Sequence, residues 1–256
     1  FRQKVETAEA KAIVDFAVCG GVGVKSVANV REIADAGASA YKTFMTSRFE
    51  ELFAGNDATL LDIFSQVSQT ALSCFIHAES QTIVAAQIEK LRNAKRVDPN
   101  AHTESRPPIA EAHGALMALS LAKEAGARLH ICHTSIPEVV EYASLWRGRG
   151  QPVTVETCPH YLLLTQDLMN RRGAFAKIDP PLRSEERRRM MWDMFVKGQI
   201  DTLASDHAPY TIEEKERGRS NIFDAPSGSP GVETTLPVML DCVSRGILSI
   251  ERLVQA

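Results

Sequence analysis

The sequence lacks the features that mark several classes of protein. Its 29 lysines and arginines are outnumbered by 32 aspartates and glutamates, so no basic excess is available for nucleic-acid phosphates. No apolar run approaches the roughly 20 residues that cross a bilayer, and the first residues lack the apolar stretch of a signal peptide. These absences predict a cytoplasmic protein that binds neither nucleic acid nor membrane.

The five cysteines give no sign of a disulfide framework or a zinc knot. Their number is odd, they are widely spaced, and no two form a Cys-x-x-Cys pair. We therefore expect buried, reduced thiols. Internal repeats, low-complexity tracts and obvious linkers are also missing, which predicts a single domain over residues 1–256.

Short apolar runs rich in β-formers alternate with longer segments of helical period, which is typical of βα units around a parallel sheet. Strands are predicted at 13–19, 40–45, 72–79, 128–135, 152–158 and 200–206. Helices are predicted at 27–36, 59–70, 108–125, 137–149 and 184–197. Because a closed (β/α)8 barrel needs eight strands, this α/β pattern predicts a partial TIM barrel with two strands absent from the chain.

Four predicted strands end in ionisable residues, namely Lys42, His77, His133 and Asp206. The active site of a parallel barrel lies at the C-terminal ends of its strands, so these side chains are expected to converge. Each has an ordinary explanation when taken alone: a core or surface histidine, a solvated lysine, or an aspartate that caps a turn. Their occurrence together on four strands favours a functional site.

Side chains two residues apart in a strand lie on the same face, and adjacent side chains lie on opposite faces. This alternation limits which of two nearby residues can point into the site. If Ile131 and His133 point into the barrel, His130 points towards the helices. The same argument places Asp206 and His207 on opposite faces. We therefore expect only one residue of each pair at the site.

Eight short motifs occur in order along the chain. They are Tyr-Lys-Thr-Phe-Met at 41–45, His-Ala-Glu at 77–79, Ser-Arg-Pro-Pro at 105–108, His-Thr-Ser at 133–135, Val-Glu-Thr-Cys-Pro-His-Tyr-Leu at 155–162, Asp-Pro-Pro-Leu-Arg at 179–183, Ser-Asp-His-Ala-Pro at 205–209 and Ala-Pro-Ser-Gly-Ser-Pro-Gly-Val-Glu-Thr at 225–234. With these motifs the sequence resembles the dihydroorotase, allantoinase and hydantoinase group of the amidohydrolase superfamily over essentially its whole length.

The resemblance implies two divalent metal ions, usually zinc, bridged by a lysine carbamate at Lys42. A carbamate offers two anionic oxygens, whereas an ammonium group would repel the ions. His77 and His133 would bind one metal, and Asp206 would bind the other and carry a proton to the departing ring nitrogen. The implied reaction is metal-assisted hydrolysis of a cyclic amide or ureide, dihydroorotase-like in kind.

Two features depart from the family pattern. The His-x-His pair of the first barrel strand is absent from the sequence, so the missing strands are the first two and strands three to eight remain. Tyr210 and Asp179 stand where dihydroorotases have histidine and asparagine, while Gly231 is expected to offer backbone groups to the ring. An allantoinase or a hydantoinase/dihydropyrimidinase is therefore the alternative, and we expect uncharged rings to bind at least as well as dihydroorotate.

A non-catalytic amidohydrolase-like scaffold is the rival interpretation from another class. Loss of catalysis in such proteins usually shows as replaced metal ligands, and here all four strand-end residues are present. This favours an enzyme, which we expect to form a homo-oligomer.

Three further residues have open or structural interpretations. His160 is as well explained by a structural turn as by a place near the metals. Arg106 and Arg183 adjoin prolines at helix starts, where helix packing or ion pairing is the favoured role.

Overall fold

Parallel strands lie side by side in the order in which they occur in the chain. The computed structural model describes residues 1–47 and 49–256. The strands of this part are β1 (Cys19–Gly21), β2 (Ala40–Phe44), β3 (Ser73–His77), β4 (Arg128–Ile131), β5 (Val153–Thr157) and β6 (Thr202–Leu203). Each is followed by at least one helix, so these strands form six of the eight βα units of a TIM barrel, as predicted.

Helices flank the sheet throughout the described residues. The α-helices are α1 (Arg2–Lys11), α2 (Val30–Asp35), α3 (Asp57–Ser68), α4 (Gln81–Asn93), α5 (Pro99–Ser105), α6 (Pro108–Ala125), α7 (Pro137–Gly148), α8 (Pro159–Leu163), α9 (Leu168–Arg172), α10 (Glu185–Val196), α11 (Ile212–Glu216), α12 (Val232–Ser244) and α13 (Ile250–Gln255). Short 3-10 helices span Val27–Asn29, Glu50–Leu52, Gly173–Ala176, Arg217–Arg219 and Ile222–Asp224. The five helices expected from periodicity all form, and α6 has the predicted bounds.

The strand predicted at 13–19 is wrong. Ile13 is 98% exposed, and the strand instead spans Cys19–Gly21, where it pairs with Ala40–Lys42 of β2. The apolar run before it is a connecting segment, whereas the glycines of the true strand carry no hydrophobic signal. A Cβ atom on Gly20 would lie 2.1 Å from a methyl group of Ile33, so a close helix approach requires glycine there.

One face of the sheet packs against the helices. Tyr41, Cys74, Leu129 and Val153 lie in register across four strands, and all are buried. The Tyr41 hydroxyl donates a hydrogen bond of 2.8 Å to the carbonyl of Val30, which begins α2. This row therefore belongs to the core between sheet and helices.

The opposite face of the sheet is the inner face of the barrel. Lys42, Phe75, His130 and Thr154 lie in register one residue after the core row, so their side chains point away from the helices. The Phe75 and His130 rings are 4.2 Å apart between centroids. Lys42 therefore lies on the predicted face, but His130 does too, which contradicts the prediction that His130 points towards the helices.

A glycine in α6 permits close contact with the end of β3. A Cβ atom on Gly114 would lie 2.6 Å from the carbonyl oxygen of Ala78 and 3.0 Å from the amide nitrogen of Glu79. We expect Gly114→Ala to lower the free energy of unfolding by about 1–3 kcal/mol, because backbone must move to accept the methyl group. Chemical denaturation measures this change.

The matched control is Gly148→Ala at the end of α7, where an added Cβ meets nothing within 4 Å. Alanine there should be neutral or stabilising by up to about 1 kcal/mol, since glycine is the poorer helix former. Equal stability of the two variants would show that Gly114 is not needed for the contact.

The described residues contain no helix with both the length and the apolar character that a bilayer span requires. The five cysteines are unpaired; four are buried and Cys19 is exposed. The expectation of buried thiols is therefore met by four cysteines and is wrong for Cys19.

Candidate metal centre

Two predicted ligands, His77 and His133, lie against each other at the C-terminal edge of the sheet. His77 ends β3, and His133 follows β4 by two residues. Both are buried, and 3.3 Å separates Nδ1 of His77 from Nε2 of His133. The two strands therefore bring one ring nitrogen from each histidine to a common point.

This separation fits a shared tetrahedral ion. Two nitrogens bound at about 2.0–2.1 Å with a tetrahedral angle between them lie about 3.3–3.4 Å apart. Burial lowers the pKa of His133 well below its usual value, and the charges of Lys42 and His77 lower it further. His133 is thus neutral, the state in which an imidazole can donate a lone pair to a metal.

The other ring nitrogen of His77 is bound to Glu79. Its Nε2 lies 2.8 Å from Oε2 of Glu79, and the same oxygen contacts Nη1 of Arg106. A guanidinium nitrogen can only donate, so Oε2 is an acceptor and His77 must donate its Nε2 hydrogen. Nδ1 of a neutral His77 then carries the lone pair that faces His133.

Lys42 lies half-buried on the inner face among negative groups. Burial alone lowers the pKa of Lys42, but the combined effect of Cys132, Glu156 and Asp206 raises it above the ordinary value. Its Nζ lies 4.9 Å from the centre of the Phe44 ring. The lysine is therefore an ammonium group here, surrounded by side chains that favour positive charge.

Asp206 occupies a sharp turn after β6. Its φ angle of 45° is left-handed, and its charge acts on Lys42 and His160. The next residue, His207, is exposed and turns to α12, where its Nδ1 accepts the N–H groups of Gly231 and Val232 at 3.0 and 3.2 Å. Asp206 and His207 thus have different surroundings, but both lie beyond the end of β6, so strand alternation does not account for the difference.

The expectation for His130 and His133 is wrong. His130, on the inner face, places Nε2 3.3 Å from Oε2 of Glu156, and the other Glu156 oxygen accepts the N–H of His133 at 2.9 Å. β4 ends at Ile131, and a φ angle of 38° at His133 turns the chain, so alternation does not extend that far. Both histidines therefore adjoin the site through Glu156.

His130, Cys132 and Glu156 could themselves be considered as metal ligands, because their donor atoms lie within 4.8 Å of one another. Both nitrogens of His130 are already engaged, with Nδ1 2.7 Å from Oγ1 of Thr154. The ammonium group of Lys42 also acts on Cys132 and Glu156. We assign this cluster to the support of His133 and Lys42.

Asp179, predicted to contact substrate, is buried in an ion pair. Its Oδ1 lies 3.0 Å from Nε of Arg106 and 3.3 Å from Nε2 of His102. It also lines a cavity of about 590 Å³ beside α4. Arg106 also contacts Glu79, so one guanidinium serves two carboxylates, and the effect of Asp179 on a substrate carboxylate stays a prediction.

The other two predicted substrate residues lie near the Asp206 turn. A Cβ atom on Gly231 would lie 2.8 Å from the carbonyl oxygen of Ser205, so the chain passes directly against this turn. Tyr210 is half-buried, with its ring centre 5.6 Å from Nζ of Lys215. Their contact with substrate stays a prediction.

The arginines have the structural roles expected of them. Nη2 of Arg183 lies 2.9 Å from Oε2 of Glu111, and its Nε donates to the hydroxyl of Ser135 at 2.9 Å. His160 lies close enough to Asp206 for the two side chains to interact. Burial lowers the pKa of His160 to about 4, although the negative charge of Asp206 acts to raise it. This places His160 beside the candidate site.

Sequence reasoning missed Glu79 and Glu156 as parts of the site. Both belong to motifs noted in the sequence, His-Ala-Glu and Val-Glu-Thr, and both follow an inner-face residue by two positions. An acidic residue at the end of an apolar strand was the available signal.

Relatives with assigned names match this chain along its whole length. An L-hydantoinase of Paenarthrobacter aurescens is 37% identical over 257 residues, covering 100% of this chain and 56% of the relative. An allantoinase of Rubrobacter xylanophilus is 36% identical over 242 residues, covering 94% and 53%. The chain thus spans about half the length of the curated relatives that it matches. No protein-family model matches it.

Solved structures agree with this similarity. The L-hydantoinase (dihydropyrimidinase) from Arthrobacter aurescens superposes with a TM-score of 0.95 at 36% identity, covering 100% of this chain and 57% of that one. A D-hydantoinase from a Bacillus species superposes with a TM-score of 0.88 at 26% identity, covering 99% and 58%. The fold and the sequence therefore lead to the same group of proteins.

Proposed function

We propose that this chain, which belongs to the cyclic amidohydrolases of the amidohydrolase superfamily, carries the catalytic residues of an enzyme that opens a ring by hydrolysing an amide bond. The observation that carries the proposal is the 3.3 Å approach of two buried histidine nitrogens, with the charge of Lys42 acting on His133 and the charge of Asp206 acting on Lys42. This arrangement suits metal ions better than an apolar core or a binding surface.

His77 and His133 would hold one ion, Asp206 would hold the other, and Lys42 would serve both as a carbamate, which its ammonium group forms by adding carbon dioxide and losing two protons. Zinc is the preferred ion because its ligands are typically nitrogen and oxygen donors in this geometry. When bound, the two ions supply an activated water and a Lewis acid that polarises the ring carbonyl.

Asp206 is proposed to move the proton. Its carboxylate accepts a proton from the attacking water and returns it to the ring nitrogen as the amide bond breaks. Without that transfer the nitrogen would have to leave as an amide anion. The half-buried position of Asp206 in a fixed turn suits a group that must hold one orientation.

We propose a hydantoin-type ring as the substrate, since the similar proteins are named hydantoinases and allantoinases. Dihydroorotate is the second candidate, favoured by the ordered motifs that the sequence shares with the group that includes the dihydroorotases. Two residues count against it: Asp179, whose partner Arg106 is shared with Glu79, and Tyr210, which stands in place of the histidine.

A comparison of kcat/KM on hydantoin, allantoin, dihydrouracil and dihydroorotate tests this choice with the whole protein. We expect the uncharged rings to react at least as well as dihydroorotate, because Tyr210 offers no cation to a carboxylate. A hundredfold preference for dihydroorotate, about 2.7 kcal/mol at the transition state, would contradict the proposal.

Metal analysis of the same preparation distinguishes the proposed enzyme from the non-catalytic scaffold considered in the sequence analysis. About two ions per chain, with activity lost to a chelator and regained with zinc, supports hydrolysis. Absence of bound metal and of turnover on every ring would favour the scaffold.

A further inference from the structure

We propose that Glu79 is a positioning residue that fixes His77 in the tautomer and orientation needed for metal binding, and that Arg106 clamps Glu79 in place. The inference rests on the proposed function, because it takes His77 as a metal ligand. Glu79 follows β3 and Arg106 follows α5. Neither would bind the metal itself: Glu79 would act through His77, and Arg106 would act through Glu79.

The hydrogen-bond directions set the tautomer. Oε2 of Glu79 accepts from Nη1 of Arg106, so it accepts the Nε2 hydrogen of His77 at 2.8 Å as well. The lone pair of His77 then lies on Nδ1, the atom that faces His133. The opposite tautomer would place a hydrogen where the metal must bind.

Burial makes this contact strong and selective. Glu79 is 0% exposed and His77 is 2% exposed, so water does not compete for the hydrogen bond. A carboxylate behind a ligating histidine orients the ring and raises the basicity of the nitrogen that binds the metal. The Phe44 ring stacks on His77 at 5.0 Å between centroids and restrains the same ring from one side.

Arg106 fixes the carboxylate from behind. Its Nη1 contacts Glu79 and its Nε lies 3.0 Å from Oδ1 of Asp179, while its backbone carbonyl accepts from Nη1 of Arg183 at 2.6 Å. The guanidinium is thus held between two buried carboxylates. This joins the end of β3 to the 179–183 segment across the mouth of the sheet.

The test is Glu79→Gln in the whole protein, with zinc affinity measured by competition with a chromophoric chelator. Glutamine keeps the size of the side chain but not its charge. We expect zinc to bind about 10–100-fold more weakly, the usual effect of losing a carboxylate behind a metal-binding histidine. Imidazole nitrogen NMR should show His77 as the Nε2–H tautomer in the metal-free wild type and a mixture of tautomers in the variant.

Glu111→Gln is the matched control. Glu111 is also buried, also paired with an arginine, and accepts from the N–H of Ser135 at 2.8 Å, but it does not contact His77. It should lose stability and keep zinc affinity within about threefold of wild type. An equal loss of affinity in both variants would overturn the inference, since the effect would then reflect general destabilisation.

If Glu79→Gln fails to fold, Glu79→Asp replaces it, because the shorter carboxylate keeps its charge but draws back from His77. Weaker zinc binding supports the inference, and wild-type affinity overturns it. A wild-type protein that binds no zinc would instead overturn the proposed function. The tautomer of His77 in that protein would still decide the role of Glu79, with an Nδ1–H form counting against it.

Discussion

Replacement of Asp206 by asparagine is expected to lower kcat on the cyclic substrate by about 10²–10⁴-fold, the usual contribution of a positioned general base. An amide cannot accept the proton of the attacking water or return it to the ring nitrogen. The fold should survive, because asparagine tolerates the left-handed backbone that Asp206 adopts at φ 45°. Part of the bound metal should also remain, since the amide oxygen can still coordinate weakly.

Steady-state kinetics and zinc content of Asp206→Asn, measured on one preparation, test this expectation. Asp193→Asn, an exposed change of the same kind on α10, is the control and should behave as wild type. Near-wild-type turnover by Asp206→Asn would remove the proton-transfer role, whatever its metal content.

Replacement of His133 by alanine is expected to act on metal content. The change leaves Nδ1 of His77 without the second nitrogen that lies 3.3 Å away. Removal of one of few ligands should release at least one of the two proposed ions and abolish measurable turnover. Elemental analysis after dialysis against trace zinc gives the ion count per chain.

His113→Ala is the matched control for this variant, because His113 is exposed on α6 and its loss creates no buried cavity. It should keep wild-type metal and activity. A full complement of zinc in His133→Ala would show that the pair of histidines is not a metal site. His113→Ala removes an exposed imidazole that is not a proposed ligand, whereas His133→Ala removes a proposed ligand, so a difference between them is due to metal binding.

Much of the fold could be predicted from the sequence because βα units leave a strong local signal. Amphipathic helices such as α3 and strands with alternating apolar residues such as β5 are defined by their own residues. β1 could not be found in this way, since two of its three residues are glycine and its existence depends on pairing with β2. The family assignment, which rests on ordered motifs, is confirmed by the comparisons.

The candidate site was only partly predictable, since strand ends identify residues but not their partners. Lys42 and His77 follow from strand position alone. The hydrogen bond from His133 to Glu156 depends on the register between β4 and β5, and the pairing of Asp179 with Arg106 joins segments about seventy residues apart. Such contacts arise from the assembled fold and leave no local pattern.

His133 and Asp206 adopt a left-handed backbone, so the residue type that would be most stable at these positions differs from the one that the proposed function needs. Their φ angles of 38° and 45° lie in the left-handed region, which glycine adopts without strain and which histidine and aspartate adopt more readily than most other side chains. A library sorted only for heat resistance would therefore drift towards glycine at both positions and lose the proposed ligands. Growth on a cyclic amide as the sole nitrogen source, in a host that releases ammonia from the ring-opened product, would instead select for histidine and aspartate at these two positions.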